Sequence, residues 1–513
     1  MTDLGTAGWI AAGCCWASLV PSGARWLRVG QREHYLAGSA TRFALRWWVR
    51  VRENTPLLVL ALIAAGLSWR WPVSAVGTAA VAVIAPLGLS VRGRTSPLGV
   101  TRRLVTLAAL WFAGEGGLVA LGFVVHRAVF LTAIAVVLAP AMVDLACLAT
   151  VPVERLLASR FVATATGRLR VVHPLIVGIT GSFGKTSTKN YVVHLLAHQA
   201  RVVASPASFN NRAGLARAVN EHLVDGTEVF VAEMGTYGRG EIAELCGWCP
   251  PNVAVITAIG PVHLERFGSE DEILAAKSEI ADGAATIVLN TDDDRLARLG
   301  DDLALRDGLP LVIRCSTADR SADVCVIEDS GVCEVFLGGS SIGIGVQLPK
   351  GAQATNVACA VGVAHHLGVG AADLVARLGD LPTVPHRLAV TIAPSGVVVI
   401  DDTFNSNPAG AQAALRVLDG ATKQGRRVVV TPGMVELGHR QGEENRIFGR
   451  AAQEVATDLV VVGQINRSVL VGEAGQHPPI TVRTRQDAVR WVRENLTSGD
   501  AVLYENDLPD HYP

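Results

Sequence analysis

The chain has 513 residues, half of them hydrophobic, with a mean hydropathy of +0.35 and a formal net charge of −1. That length exceeds one ordinary domain and calls for two or three. A charge so near zero, with no basic stripe beyond the first 170 residues, gives no support for a nucleic-acid binder, and nine cysteines without a disulfide-like framework fit a reducing compartment.

Residues 1–170 read as a membrane domain. Apolar runs lie at roughly 5–22, 55–71, 72–91, 103–125 and 127–150, each close to the ~20 residues that cross a bilayer. The first is short and lacks the basic start and small-residue cleavage site of a signal peptide. Arginines orient the spans. Arg25, Arg28, Arg32, Arg42, Arg46, Arg50 and Arg52 fall between the first two runs, Arg92, Arg94, Arg102 and Arg103 before the fourth, and Arg155, Arg160, Arg168 and Arg170 after the fifth. Five helices with the N-terminus outside place all of these in the cytoplasm. The expectation is a multi-pass plasma-membrane protein with cytoplasmic catalytic domains. Glu115 and Asp144 fall inside the runs, where an acid marks either function or a satisfied interhelical hydrogen bond.

After residue 172 short β-branched runs alternate with helical segments, the pattern of a mostly parallel α/β sheet. Strands are expected at 175–180, 201–205, 228–234, 253–259 and 286–290, and residues 323–348 alternate like a small antiparallel ribbon. PTVPHR (382–387) reads as a linker to a second α/β unit with strands near 397–401, 426–431, 458–462 and 500–504. The expected boundaries are 1–170, 171–383 and 384–513.

Within the first α/β unit, LIVGIT reads as a buried strand, GSFG as a flexible turn and KTSTKNYVVHLL as a helix. Strand, glycine loop and helix form the geometry in which backbone N–H groups and a helix N-terminus cradle phosphate. Lys185 would reach the β- and γ-phosphates, and Thr186 would offer its hydroxyl to Mg²⁺. Only five of the 45 basic residues are lysine, at 185, 189, 277, 350 and 423. In so arginine-rich a chain these are candidates for sites that need an ammonium point charge or a nucleophilic amine. Lys189, one turn along, is either a second phosphate contact or a solvated side chain. Cys246-Gly-Trp-Cys249, with no second pair nearby, reads as packing.

TGSFGKTST closely resembles the ATP loop of the Mur ligases, and further motifs follow in that family's order: SFNNRAG (208–214), EMGTYGRGEIAELC (233–246), ITAIGPVHLERFGS (256–269), AAKSEI (275–280), LNTDDD (289–294), PHRL (385–388), DDTFNSNPAGAQAAL (401–415) and GMVELG (433–438). The resemblance covers roughly residues 172–513 and is nearest to members that add D-alanyl-D-alanine. It implies a P-loop central domain, a Rossmann-like C-terminal domain, and ATP-dependent amide ligation through an acyl phosphate. It further implies nucleotide contacts from Thr180, Gly181, Gly184, Lys185, Thr186, Ser187, Asn290, Asn356, Arg387 and Asp402. Two Mg²⁺ would be held by Thr186, Glu233, His263 and Lys277, the last as a carbamate. Lys185, His263, Lys277 and Arg387 would carry the chemistry, while Asn210, Asn211, Asn405 and Asn407 would face substrate.

Two features depart from the family. The membrane domain stands where Mur ligases carry the domain that holds the UDP part of the substrate. The chain also reads LYENDLPDHYP where the family commonly ends a strand with a Lys-Gly turn. Both lie on the acceptor side. The partners implied are therefore a carboxylate acceptor, small-molecule or lipid-linked, an amino-acid or dipeptide amine, membrane lipid and membrane partners of cell-wall synthesis. A ligase of another amide polymer, such as poly-γ-glutamate, is the alternative.

Overall fold

The computed structural model describes all residues except 1–4, 94, 96, 207–208, 306–309, 330, 405, 423 and 473–477, so Asn405 and Lys423 lie outside it. The chain divides into two compact units, one made of residues 1–157 with 508–513 and the other of residues 158–507.

The first unit is helical: α1 (Thr6–Arg32), α2 (Ser39–Arg50), α3 (Asn54–Leu67), α4 (Ala75–Ile84), α5 (Arg102–Val124) and α6 (Ala128–Val172), whose later residues belong to the second unit. Among the described residues, two stretches are long and apolar enough to cross a membrane by length and composition, Arg102–Val124 and Ala128–Glu154. The expectation of five spans is thereby corrected. The second and third runs form helices of 14 and 10 residues, about 21 and 15 Å long at 1.5 Å per residue, against a hydrocarbon core of about 30 Å.

The loop arginines also need correction. Arg25 and Arg28 lie buried within the 27-residue α1. Arg25 donates to the carbonyl oxygens of Ala82 and Ala85 at 2.8 and 3.1 Å, at the C-terminal end of α4 where helical carbonyls lack partners. Arg28 pairs with Asp510 at 2.7 Å. Charge counting cannot distinguish an arginine that caps a neighbouring helix from one that faces water. Asp144 accepts from the backbone N–H groups of Ala40 and Thr41 and from the Thr41 hydroxyl, so the satisfied hydrogen bond is what the structure shows for it.

The second unit holds two sheets. The central one joins β1 (Leu175–Thr180), β2 (Val202–Ala204), β3 (Val229–Glu233), β4 (Val253–Ile256), β5 (Thr286–Asn290), β6 (Leu311–Ser316), β7 (Val324–Asp329), β8 (Val332–Leu337) and β9 (Ser340–Gln347) in the order β2-β3-β1-β4-β5-β6-β7-β8-β9. It is parallel through β7 and antiparallel from β7 to β9. Alternate side chains of β1 enter two cores, Val177 and Ile179 on one face and Ile176 on the other. A parallel sheet covered on both faces reads as a continuous apolar run for this reason.

The second sheet comprises β10 (Ala389–Ile392), β11 (Val398–Asp402), β12 (Arg427–Thr431), β13 (Asp458–Val462), β14 (Ile480–Val482) and β15 (Ala501–Glu505), ordered β10-β11-β15-β12-β13-β14 with only β10 antiparallel among them. Cys249 is buried in the core beneath the first sheet. Burial pushes the Cys246 thiol up to about 12, so neither cysteine offers a reactive thiolate.

Candidate functional site

β1 ends at Thr180, the loop 181–184 follows, and α7 (Lys185–Leu196) starts at Lys185. Two of the loop's glycines are required by space. Gly181 has φ +152° and Gly184 φ +83°; a Cβ would stand 2.0 Å from Thr257 Oγ1 at the first and 2.2 Å from Asn356 Oδ1 at the second. Lys185 curls back over this loop, its Nζ donating to Gly181 O at 2.6 Å. Burial lowers its pKa to about 8, Glu233 opposing and Arg387 reinforcing the shift.

Glu233, the last residue of β3, is buried at the centre of a polar cluster. Lys189 Nζ lies 3.1 Å from its Oε2, the Thr186 hydroxyl donates to the same oxygen at 2.9 Å, and Asn210 Nδ2 donates to Oε1 at 3.0 Å. Burial pushes this carboxyl up, but Lys189, Lys185 and Asn210 together hold it below its ordinary value. Lys189 is thus not solvated: it is buried, ion-paired and lines the large cavity. Its ammonium offsets the charge of the buried carboxylate.

These groups line a cavity of about 530 Å³ that also receives His263, Lys277, Arg387 and Asn407. A smaller cavity shares Gly184, Thr186, Arg387 and Asn407 with it and adds Ser187, Asn356 and Asp402. Thr180, Gly181 and Asn290 line neither cavity. Asn290 instead ties its Nδ2 to Thr257 O at 3.1 Å, bracing the strand ends behind the loop. Asn211 and Asn407 are helix N-caps, accepting from Gly214 N and Gly410 N at 2.9 Å each. Arg387 reaches the cleft from the linker, its guanidinium 4.5 Å from the Phe404 ring centre.

Lys277 is 4% exposed, and no hydrogen-bond partner reaches its Nζ among the described residues. Burial and then the charge of Lys185 lower its pKa well below the ordinary lysine value, which favours the neutral amine. Among the described residues no three His, Cys, Asp or Glu side chains converge as a ready metal centre. The donors present still fit Mg²⁺: a buried carboxylate, a threonine hydroxyl, an imidazole, and an amine whose carbamate would add the missing acidic oxygens. The sequence assigned no role to Glu436, which contacts His263 Nδ1, nor to Glu505. Glu505 is buried against Asp402, accepts from the Ser406 hydroxyl, and is pushed well above the usual carboxylate range by burial and by Asp402. Asp402 itself rises to about 6, mainly through burial.

Fold and cleft together define a P-loop nucleotide-binding enzyme whose site is built from two α/β domains. The Mur ligase middle domain matches residues 179–364, and the Mur ligase glutamate ligase domain matches residues 386–504. The UDP-N-acetylmuramoyl-tripeptide–D-alanyl-D-alanine ligase of Mycobacterium tuberculosis is 32% identical over 360 residues, spanning 64% of this chain and 69% of the relative. Among solved structures, MurF from Acinetobacter baumannii superposes with a TM-score of 0.60 at 25% identity, covering 68% of this chain and 77% of that one. MurF from Thermotoga maritima in complex with ADP gives 0.59 at 26%, covering 68% and 80%. The chain belongs to the Mur ligase family. It is an ATP-dependent ligase.

Proposed function

We propose that the chain joins an amine to a carboxylate of a peptidoglycan precursor, with D-alanyl-D-alanine as the amine, while associated with the plasma membrane. The observation that carries this reading is the 530 Å³ cavity in which Lys185, Thr186, Glu233, His263, Lys277 and Arg387 meet from both domains. The names of the relatives support the choice of amine. In the first step a substrate carboxylate oxygen attacks the γ-phosphorus of ATP and ADP departs, leaving an acyl phosphate. In the second, the amine nitrogen attacks the acyl carbon, phosphate leaves, and loss of the nitrogen's proton completes the amide.

Both steps crowd anions, and cations placed beforehand are the main source of rate. Lys185 and Arg387 hold the β- and γ-phosphates. Thr186 and Glu233 would hold one Mg²⁺, and His263 with carbamylated Lys277 a second; bound there, the ions offset phosphate and carboxylate charge. Asn356 and Asp402 serve the nucleoside while Asn290 braces the loop from behind, and Asn210, Asn211 and Asn407 serve the substrate. These roles assign residues 171–383 and 384–507 to the two ligase domains, and residues 1–157 with 508–513 to membrane association through α5 and the first part of α6.

The acceptor has two readings. The relatives' names give a UDP-linked peptide. The helical unit that precedes the central domain favours instead an acceptor carried in the bilayer. Full-length protein in nanodiscs, given D-alanyl-D-alanine and either a UDP-linked or a lipid-linked tripeptide acceptor, should sustain ADP and phosphate release over many turnovers only when both substrates are present. ATP turnover indifferent to acceptor argues against ligation. Lys277→Arg should lower turnover at least ~100-fold, since arginine forms no such carbamate, and Lys277→Ala should regain part of it with added acetate. Wild-type turnover in Lys277→Arg removes the carbamate from the reading.

A further inference from the structure

His263 and Glu436 come from different domains, 173 residues apart, and meet side chain to side chain: Nδ1 of the imidazole contacts Oε2 of the carboxylate. The second oxygen, Oε1, faces Arg266 Nη2 at 3.7 Å. The backbones meet too, Glu265 N–H donating to Glu436 O at 3.3 Å. Both residues occupy the left-handed region, His263 at φ +58° and Glu436 at φ +64°. Such backbone costs a non-glycine residue about 1 kcal/mol or more, and it persists where the surroundings hold it. Here two strained residues hold each other. On its other side the His263 ring packs edge-on against Tyr237, with centroids 4.8 Å apart, and Tyr237 lies under the Arg266 guanidinium at 4.4 Å. His263 and Tyr237 line the large cavity; Glu436 does not.

We propose that Glu436 is a positioning residue for His263, and that it makes the His263 metal position depend on contact between the two ligase domains. An ionised carboxylate only accepts hydrogen bonds, so Nδ1 must carry the proton that joins the pair. The neutral imidazole then keeps its lone pair on Nε2, the nitrogen a metal ligand must present. The carboxylate also makes that nitrogen a better donor and fixes the ring plane. The central domain alone holds the histidine but not the group that sets its tautomer. A divalent cation bound at Nε2 therefore favours the arrangement in which Glu436 is docked, and docking raises affinity for the cation by the same factor.

The inference rests on His263 as a metal ligand, and the test separates the two claims. Mn²⁺ serves as the probe, bound to the full-length protein and followed by electron paramagnetic resonance. His263→Ala, Glu436→Gln and Glu436→Ala are compared, with ¹⁵N shifts of the His263 ring and a labelled distance between the two ligase domains recorded alongside. Glu436→Ala should weaken Mn²⁺ binding ~10–100-fold, and Glu436→Gln, which keeps size and one acceptor oxygen, should weaken it less. In both variants the ring should lose its fixed Nδ1–H tautomer, and Mn²⁺ should no longer narrow the interdomain distance distribution. A loss in His263→Ala with unchanged affinity and tautomer in both Glu436 variants overturns the positioning role and leaves the ligand assignment standing. Unchanged affinity in His263→Ala removes the ligand assignment and this inference with it.

Discussion

Lys185 shows how burial changes the charge behaviour of a side chain that lines the cavity. Burial lowers its pKa to about 8; in the phosphate-binding role proposed above, phosphates beside it would raise the value again. Because the folded pKa lies below that of the unfolded chain, the penalty on the empty fold is fully present below pH 8 and relieved as pH rises toward the ordinary lysine value. Binding reverses this and takes up a proton. ADP affinity should therefore be level below pH 8 and fall as pH rises beyond it, approaching ~10-fold per unit. Lys185→Arg binds more weakly but stays charged, so its pH slope should vanish. Calorimetric titration of ADP between pH 7 and 9.5 reads both, and a wild-type slope in Lys185→Arg would refute the assignment. The scarcity of lysine singled out Lys185 and Lys277 in the sequence, and both line the large cavity. Glu436 was not legible, because the histidine that explains it lies in another domain.

At the scale of elements, the strand–loop–helix unit around the phosphate loop is set by steric exclusion. Gly184→Ala puts a methyl group against Asn356 Oδ1 in a left-handed backbone. That should cost about 1–3 kcal/mol of stability and lower ADP affinity at least ~10-fold, both readable from thermal unfolding with and without ADP. A Tm and an affinity equal to wild type would show that the loop relaxes freely. The strands legible in the sequence, β1, β3, β5 and β13 among them, lie inside their sheets and carry apolar runs between their ends. Those missed were β6, whose first residues are exposed, and the short β10 and β14 at the edges of the second sheet. Edge strands bury one side and carry little hydrophobic signal. The helical unit failed the reading for the opposite reason. Apolar runs there promised spans, but the fold divides two of them into short helices and draws Arg25 and Arg28 inside a third.

At the scale of the whole molecule, the first unit is completed by residues 508–513, which return to it after the entire ligase portion. Asp510 pairs with Arg28, whose side chain is fully buried, at 2.7 Å. His511 Nε2 lies 3.1 Å from Glu33, and the His511 carbonyl accepts from the Trp47 indole at 2.9 Å. Tyr512 packs edge-on against Phe43 with ring centres 4.8 Å apart. The last six residues of the segment that departs from the family's usual Lys-Gly ending thus belong to the helical unit, and one of its acids, Asp510, answers a buried arginine. Removing the carboxylate from an ion pair with a buried arginine costs about 3 kcal/mol or more, and Asp510 and Arg28 both belong to the helical unit. Asp510→Ala in detergent-solubilised full-length protein should therefore lower the unfolding transition of the helical unit by several degrees and leave the ADP-stabilised transition in place. Asp510→Asn, which keeps the shape and loses the charge, should fall between. Unaltered transitions in Asp510→Ala would mean that residues 508–513 lie on the helical unit without supporting it.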